Sequence, residues 1–323
     1  MKKIIGIDIG GTKISLIIAT AKGKILAQGG LPTRTGKTEA RLCVNEMLRK
    51  LREMAVAVRM GKRELLGIGV CMPGPVNTQT GEVPWSPNLR GWQGLPLRQI
   101  LIRHFSVPVF MDNDANAAGF GEKIFGAGKR IKDFVYITVS TGIGGGLVLG
   151  GRIHRGASFC GGEIGHIPVV PDGNLCECGK RGCLEAYASG TAIGKLARME
   201  LAKGKKSRLL ELSPSIKRVT GETVTQAAFL GDKLSLEILS CAARYLGIGL
   251  ATVMNLLNPG MIVLGGGVIK AGKHLWKPMM ASVKKEAWPA AFKACRIIKT
   301  ELGEHVGNLG AAALVLSKDT DLV

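Results

Sequence analysis

Apolar residues alternate with small or polar ones through Ile4–Ile9 and again through Ile14–Ala19, and both runs are rich in β-branched side chains. That period of two is the signature of strands. Gly10-Gly11 turns the first run into the second, and Lys22-Gly23 turns the second towards a third, so the chain opens as a β-meander with a Gly-Gly-Thr tip. From Glu39 to Ala57 the spacing becomes helical, with Leu42, Met47, Leu48 and Leu51 on the apolar side. Leu66–Val70 reads as a strand running into Cys71-Met72-Pro73-Gly74-Pro75, Leu97–Phe105 as a helix, and Val107–Met111 as a strand. The last of these gives way, through Asp112-Asn113-Asp114, to a small-residue helix at Ala115–Phe125.

The opening pattern then recurs. Phe134–Ser140 is a strand, Thr141-Gly142-Ile143-Gly144-Gly145-Gly146 a Gly-rich turn, Leu147–Leu149 a strand, and Gly150-Gly151 a turn into a third strand near Arg152. Two meanders with Gly/Thr tips, about 130 residues apart, indicate an internal duplication at domain scale. Beyond them the pattern predicts helices at Ala192–Lys203, near Thr223–Phe229, at Leu234–Leu257, at Trp276–Ala287 and at Asn308–Leu316, with strands at Met261–Leu264 and Arg296–Thr300. The uncharged stretch Tyr245–Ile269 is long enough for a membrane span. Asn255, Asn258, Pro259 and Gly260 interrupt it, so it reads as a core helix, a turn and a buried strand.

Composition sharpens this picture in three ways. At 323 residues the chain suits two domains. The expected division is a small α/β lobe at 1–112, with a C-terminal helix in 303–323 packed on it, and a large α/β lobe at 113–302. A net charge of +20, with basic clusters at Arg34–Arg63 and Lys195–Arg218, attracts anions such as nucleotides, or nucleic acid without specificity; solvated helix faces account for the same clusters. Asp8 interrupts the first apolar run too early for a signal peptide, and five of the eight cysteines are scattered (Cys43, Cys71, Cys160, Cys241, Cys295). The expected location is the cytoplasm, where thiols stay reduced.

The other three cysteines concentrate the chemistry. Cys176, Cys178 and Cys183 lie within eight residues, and His166 stands ten before the first. Three thiolates and an imidazole are a closed tetrahedral donor set for structural zinc; the alternative is a Cys-rich loop without metal. The two Gly/Thr tips expose backbone N–H groups and a hydroxyl suited to phosphate oxygens, and Asp8 at the end of the first strand can hold Mg²⁺ through water. No G-x-x-x-x-G-K-[ST] occurs, and a strand rather than a helix follows each tip, which excludes a P-loop and a Rossmann fingerprint. Asp114 sits where α/β enzymes place reactive groups; the alternative is a helix N-cap and nothing more. Gly265-Gly266-Gly267, after a buried strand, leaves bare backbone for an adenine or ribose, or is a turn without ligand.

Together these residues resemble the sugar kinases of the ROK family, over nearly the whole chain. Asp8-Ile9-Gly10-Gly11-Thr12-Lys13 and Thr141-Gly142-Ile143-Gly144-Gly145-Gly146 resemble its two phosphate motifs, and Gly265-Gly266-Gly267 its adenosine motif. Gly156 through Gly162 to Gly165-His166 completes the family signature, and Cys176-x-Cys178-Gly179-x-x-Gly182-Cys183-x-Glu185 is its zinc motif in full. The resemblance implies a two-lobed, actin- and hexokinase-like (ribonuclease H-like) α/β fold that closes over its sugar. It implies ATP, Mg²⁺ and structural Zn²⁺, with Asp114 as catalytic base. Asn113, Glu163, His166 and Glu185 would hold sugar hydroxyls, with Asn88 and Gly74 completing the pocket and His166 serving zinc through its other ring nitrogen. Asp8, Gly10, Gly11, Thr12, Lys13, Thr141, Gly142, Gly144, Gly265 and Gly266 would hold the nucleotide.

Pro87-Asn88-Leu89-x-x-Trp92 resembles the glucokinase branch, so the expected reaction is phosphorylation of the 6-hydroxyl of glucose. Kinases of N-acetylmannosamine, N-acetylglucosamine, fructose or allose keep the chemistry and change the sugar, and polyphosphate is the rival donor. The rival of a different class is a sugar-sensing ROK repressor. Such proteins carry a helix-turn-helix before the first phosphate motif; with the first strand starting at Ile4, an enzyme is expected, with no specific nucleic acid, no membrane and a homo-oligomeric state.

Overall fold

The computed structural model describes residues 1–61, 63–82 and 89–317. The alternating runs at the start form β1 (Lys3–Ile9), β2 (Lys13–Thr20) and β3 (Ile25–Pro32). They are followed by α1 (Lys37–Ala57), β4 (Leu65–Met72), α2 (Leu97–Phe105), β5 (Val109–Asn113) and α3 (Asp114–Phe125). The second meander is β6 (Phe134–Val139), β7 (Ile143–Leu149) and β8 (Arg152–Ile153). Then come α4 (Glu185–Ala188), α5 (Gly190–Ala202), α6 (Leu209–Leu212), α7 (Gly221–Phe229), α8 (Lys233–Leu257) and β9 (Met261–Gly265). The chain ends on α9 (Lys273–Glu286), α10 (Pro289–Ala294), β10 (Arg296–Lys299) and α11 (Val306–Leu314).

Two five-stranded sheets result, ordered β3-β2-β1-β4-β5 and β10-β9-β6-β7-β8. Read backwards, the second repeats the first: each starts from a meander and continues with two further strands. In the first, β1–β2 and β2–β3 are antiparallel, whereas β1–β4 and β4–β5 are parallel. In the second, β6–β9 and β9–β10 are parallel. The duplication expected from the two Gly/Thr tips is thus the architecture of the molecule.

Residues 1–132, 146–162 and 300 onward make one compact unit, and residues 133–145 and 163–299 the other. The sequence reading draws its boundary after residue 112, whereas the first unit also takes in α3. The reason is packing: α3 lies against α11, which in turn lies on β1 and β4. The approach is close. A side chain at Gly121 would stand 2.8 Å from the Cα of Gly310, and one at Gly310 would stand 2.5 Å from the Ala117 carbonyl oxygen. Isoleucines of β1 and β2 and the apolar stripe of α1 fill the core on one side of the first sheet.

Two sequence expectations change. The stripe of α1 is Ala40, Cys43, Val44, Met47, Leu48 and Leu51, and Leu42 is exposed, because the buried arc is satisfied one residue further round. The turn at Thr141–Gly146 is shorter than read, since β7 begins at Ile143. Gly144, Gly145 and Gly146 belong to the strand, and a side chain at Gly146 would collide with the Ala115 backbone. The long apolar segment behaves as expected: α8 buries Leu234, Ile238, Leu246 and Leu250 among others, Asn258 ends it in the left-handed conformation, and β9 is fully buried. Among the described residues α8 is also the one helix long and apolar enough to cross a membrane, and 56% of its most apolar window is buried in the protein.

Candidate active site

In the first unit the site residues gather where β1, β4 and β5 end. Asp8 lies opposite Cys71 in the parallel β1–β4 register, and the Cys71 thiol donates to Asp8 Oδ1 at 3.5 Å. The other side of the carboxylate rests on Gly307 at the start of α11, where a Cβ would strike Oδ2. Burial pushes the Asp8 carboxyl up to about 6, with the charge of Asp114 adding to the rise. The tip after β1 is tied by Gly10 N–H to Lys13 O at 2.9 Å, and the Thr33 hydroxyl donates to Gly10 O at 2.6 Å. Thr12 and Lys13 stand exposed.

Asn113 rather than Asp114 is the N-cap of α3. Its Oδ1 accepts from Ala115 N–H at 2.9 Å and Asn116 N–H at 3.2 Å, and its amide donates to Gly74 O at 3.1 Å. Gly74 itself adopts φ 93°, a conformation that favours glycine. Asp114 is the first helical residue, and its Oδ1 accepts from Ala115 N–H at 2.8 Å. Burial raises its carboxyl above the ordinary range, against hydrogen bonds from Ala115 and Asn113 that lower it. The N-cap position of α3 is therefore held by Asn113 and not by Asp114.

Beneath this corner lies a network that the sequence reading missed. The Asp112 side chain is 1% exposed and accepts from Arg155 Nε at 2.9 Å and Nη2 at 2.8 Å. Its Oδ1 accepts from Asn116 Nδ2 at 3.1 Å and from Asn113 N–H at 2.7 Å. A buried carboxylate needs such partners, and this set fixes the backbone that presents Asn113 and Asp114. The one signal in the sequence is an aspartate closing an apolar strand; its partner is 43 residues away.

The second unit carries a cluster of possible metal ligands. One donor atom from each of His166, Cys176, Cys178 and Cys183 lies within 4.8 Å of every other. Cys176 Sγ is 3.8 Å from His166 Nδ1, and Cys178 Sγ is 3.7 Å from Cys183 Sγ. Zn–S bonds of about 2.3 Å in a tetrahedron give edges of about 3.8 Å, so the donor set fits zinc in size and chemistry. Burial pushes the Cys176 thiol up to about 12, and a bound divalent ion reverses that preference. With Nδ1 turned to the thiols, His166 Nε2 points the other way, 3.9 Å from Glu163 Oε2. Among the described residues this is the one such cluster of possible ligands found.

Glu185 opens α4 directly after the last ligands, and its Oε2 accepts from Ile143 N–H at 2.7 Å. Thr141 is exposed at the tip between β6 and β7. At the third Gly-rich turn, a side chain on Gly265 would meet the Tyr136 hydroxyl, and one on Gly266, at φ 93°, would meet the Val139 backbone; Gly267 faces open space. Packing alone therefore accounts for the first two of these glycines. Asn88, with Pro87, lies outside the described residues, and Trp92 is a buried anchor whose indole N–H donates to Arg34 O at 3.0 Å.

The geometry can be set beside known proteins. The model of the ROK family matches residues 4–318. A glucokinase of Halalkalibacterium halodurans is 36% identical over 98% of this chain and 96% of its own length. A putative xylose repressor of a Caldicellulosiruptor species is 30% identical over 97% of this chain and 78% of its own. Among solved structures, a ROK family glucokinase from Streptomyces griseus, in complex with glucose and AMPPNP, superposes with a TM-score of 0.81 at 32% identity, covering 97% of this chain and 98% of that one.

Proposed function

Because the chain belongs to the ROK family, we propose that it is an ATP-dependent sugar kinase that phosphorylates the 6-hydroxyl of glucose. The observation that carries this reading is the division of labour at the start of α3. Asn113 holds the N-cap, which leaves Asp114 a buried carboxylate of raised proton affinity held by a backbone bond from Ala115. Such a group suits a general base for a primary alcohol. The similarity to glucokinases supports glucose as the acceptor.

In this reading Asp114 takes the proton of the sugar's 6-hydroxyl as that oxygen attacks the γ-phosphorus, the bond from that phosphorus to the β,γ-bridging oxygen breaks, and ADP leaves. Asn113 and Gly74 in the first unit, and Glu163, His166 and Glu185 in the second, hold the other hydroxyls, with Asn88 beside them. The tips at Gly10-Gly11-Thr12-Lys13 and Thr141-Gly142, with Gly144, bind the phosphates, and Gly265-Gly266 the adenosine. Asp8 would hold Mg²⁺, which supplies positive charge against the phosphates when bound. The protein's share of the reaction is then positioning and electrostatics, as in phosphoryl transfer generally. Structural zinc held by His166, Cys176, Cys178 and Cys183 would orient His166 towards the sugar. All eight cysteines are free, which suits the reducing cytoplasm.

A coupled assay across a hexose panel tests the assignment. Glucose should give the highest kcat/KM, mannose and 2-deoxyglucose should trail, and N-acetylhexosamines should be poor substrates. An unpaired hydroxyl-binding group costs about 1–3 kcal/mol, so each mismatch is worth roughly five- to 150-fold. An N-acetylhexosamine preferred tenfold over glucose would overturn glucose and leave the family standing.

A further inference from the structure

Glu185 enters the reading above as a sugar ligand, yet in the structure its carboxylate already has a partner at the phosphate tip. Oε2 accepts from Ile143 N–H at 2.7 Å, the first residue of β7 and the one that follows Thr141-Gly142. The same oxygen occupies the space that a side chain at Gly142 would need. Two more bonds tie these segments together: Gly190 N–H donates to Ser140 O at 2.7 Å, and Thr191 N–H to Thr141 O at 3.3 Å. On its other flank Glu185 follows Leu184, whose N–H donates to Ile167 O at 2.9 Å, one residue beyond His166. Residues 185–191 are therefore laced along residues 140–143, and the single charged bond in the lacing is the one from Glu185.

We propose that Glu185 is a positioning residue for the phosphate tip of the second unit, so that one carboxylate serves the sugar and shapes the nucleotide's binding loop. A backbone N–H to carboxylate bond is stronger and more directional than a neutral one. It fixes the peptide after Gly142 and hence the direction in which the tip presents its groups. A carboxylate has about four acceptor sites, so Oε1 stays available for a hydroxyl. Gly142 follows from the same arrangement: any larger residue would displace the carboxylate. The proposal rests on the assignment of Thr141-Gly142 to phosphate, and it adds that tip and sugar pocket respond to one another.

The test is binding, with each ligand measured alone by calorimetry. Glu185→Ala should weaken a Mg²⁺-bound non-hydrolysable ATP analogue about tenfold in the absence of sugar, the scale of a lost charge-assisted bond. Glu185→Gln keeps an oxygen that can accept from Ile143 N–H, and it should restore nucleotide affinity to within about threefold. Gly142→Ala should weaken glucose in the absence of nucleotide, although it lies at the phosphate tip. Nucleotide affinity within about twofold of wild type in Glu185→Ala overturns the proposal, even if glucose binding is lost and the sugar role stands. Loss of nucleotide affinity in Glu185→Ala with glucose affinity intact in both Glu185 variants keeps the positioning role but overturns the shared one, because it removes Glu185 from the sugar site. Glucose weakened by Glu185→Ala and untouched by Gly142→Ala breaks the link between the two places. Should Gly142→Ala fail to fold, as its circular dichroism would show, the two Glu185 variants decide alone.

Discussion

At the scale of single residues, the strand-to-helix corner at 112–114 separates three roles within three consecutive side chains. Asp112 points into the protein and is paired with Arg155, Asn113 caps α3, and Asp114 is the residue proposed as the base. Asp114→Asn keeps the shape and removes the base. Turnover should fall by about 10²–10⁴, with sugar affinity far less affected because an amide still bonds to a hydroxyl. Melting temperature should hold or rise slightly, since the cap belongs to Asn113 and a carboxylate disfavoured by burial has been neutralised. The pH profile carries a further check. A base must be ionised to work, and burial raises the Asp114 carboxyl, so kcat/KM should fall with decreasing pH well before the ordinary carboxylate value of about 3.9 is reached. Turnover of Asp114→Asn within about fivefold of wild type would exclude it as the base.

At the scale of elements, the two meanders were legible from the sequence because alternation and Gly tips are local signals. What joins the elements was not. The approach of α3 to α11 depends on Gly121 and Gly310, which a sequence presents as two glycines among 46. The Asp112–Arg155 pair and the Glu185–Ile143 bond span 43 and 42 residues, and no period reveals them. The Cys/His cluster was legible because its four donors lie close together in the sequence, and they come together in space as well. The extent of the Gly-rich turn at 141–146 was misjudged because glycines that allow close packing look the same as glycines that turn. Two predictions belong at this level. Gly310→Val should cost about 1–3 kcal/mol through overpacking against Ala117, seen in denaturant midpoints. Turnover should fall with it, because α3 carries Asp114 at its first position. Freshly purified protein should hold about one zinc per chain by elemental analysis. Chelation should lower the melting temperature, because binding is coupled to ordering of the ligand loop, and glucose affinity should drop as His166 loses its orientation. Active enzyme free of zinc would sink the metal assignment.

For the whole molecule, the unexplained property is charge: 44 Lys and Arg against 24 Asp and Glu, a net +20. A field of that size draws polyanions without regard to what they are. It therefore bears on the one rival of a different class, because xylose repressors match this chain at 30% identity. The two readings differ in how DNA binding should depend on salt and sequence. If the charge is a general field around a kinase, a DNA duplex should bind at low ionic strength, with no preference among sequences. Its affinity should fall steeply as counterions compete; for six to ten phosphate contacts the loss is about 10³–10⁵ between 50 and 200 mM salt. If a DNA-reading surface exists, an operator-like sequence should hold at about 200 mM, since base contacts lack that dependence. We expect the first result: retention on random-sequence DNA at low salt, none at about 200 mM, and glucose phosphorylation continuing there because the phosphate tips and Asp8 are local. Titrating labelled duplexes from random and genomic pools across salt, beside turnover in the same buffers, makes the comparison direct. Nanomolar, sequence-selective binding that survives about 200 mM salt would give this chain a regulatory role beyond the proposed kinase activity.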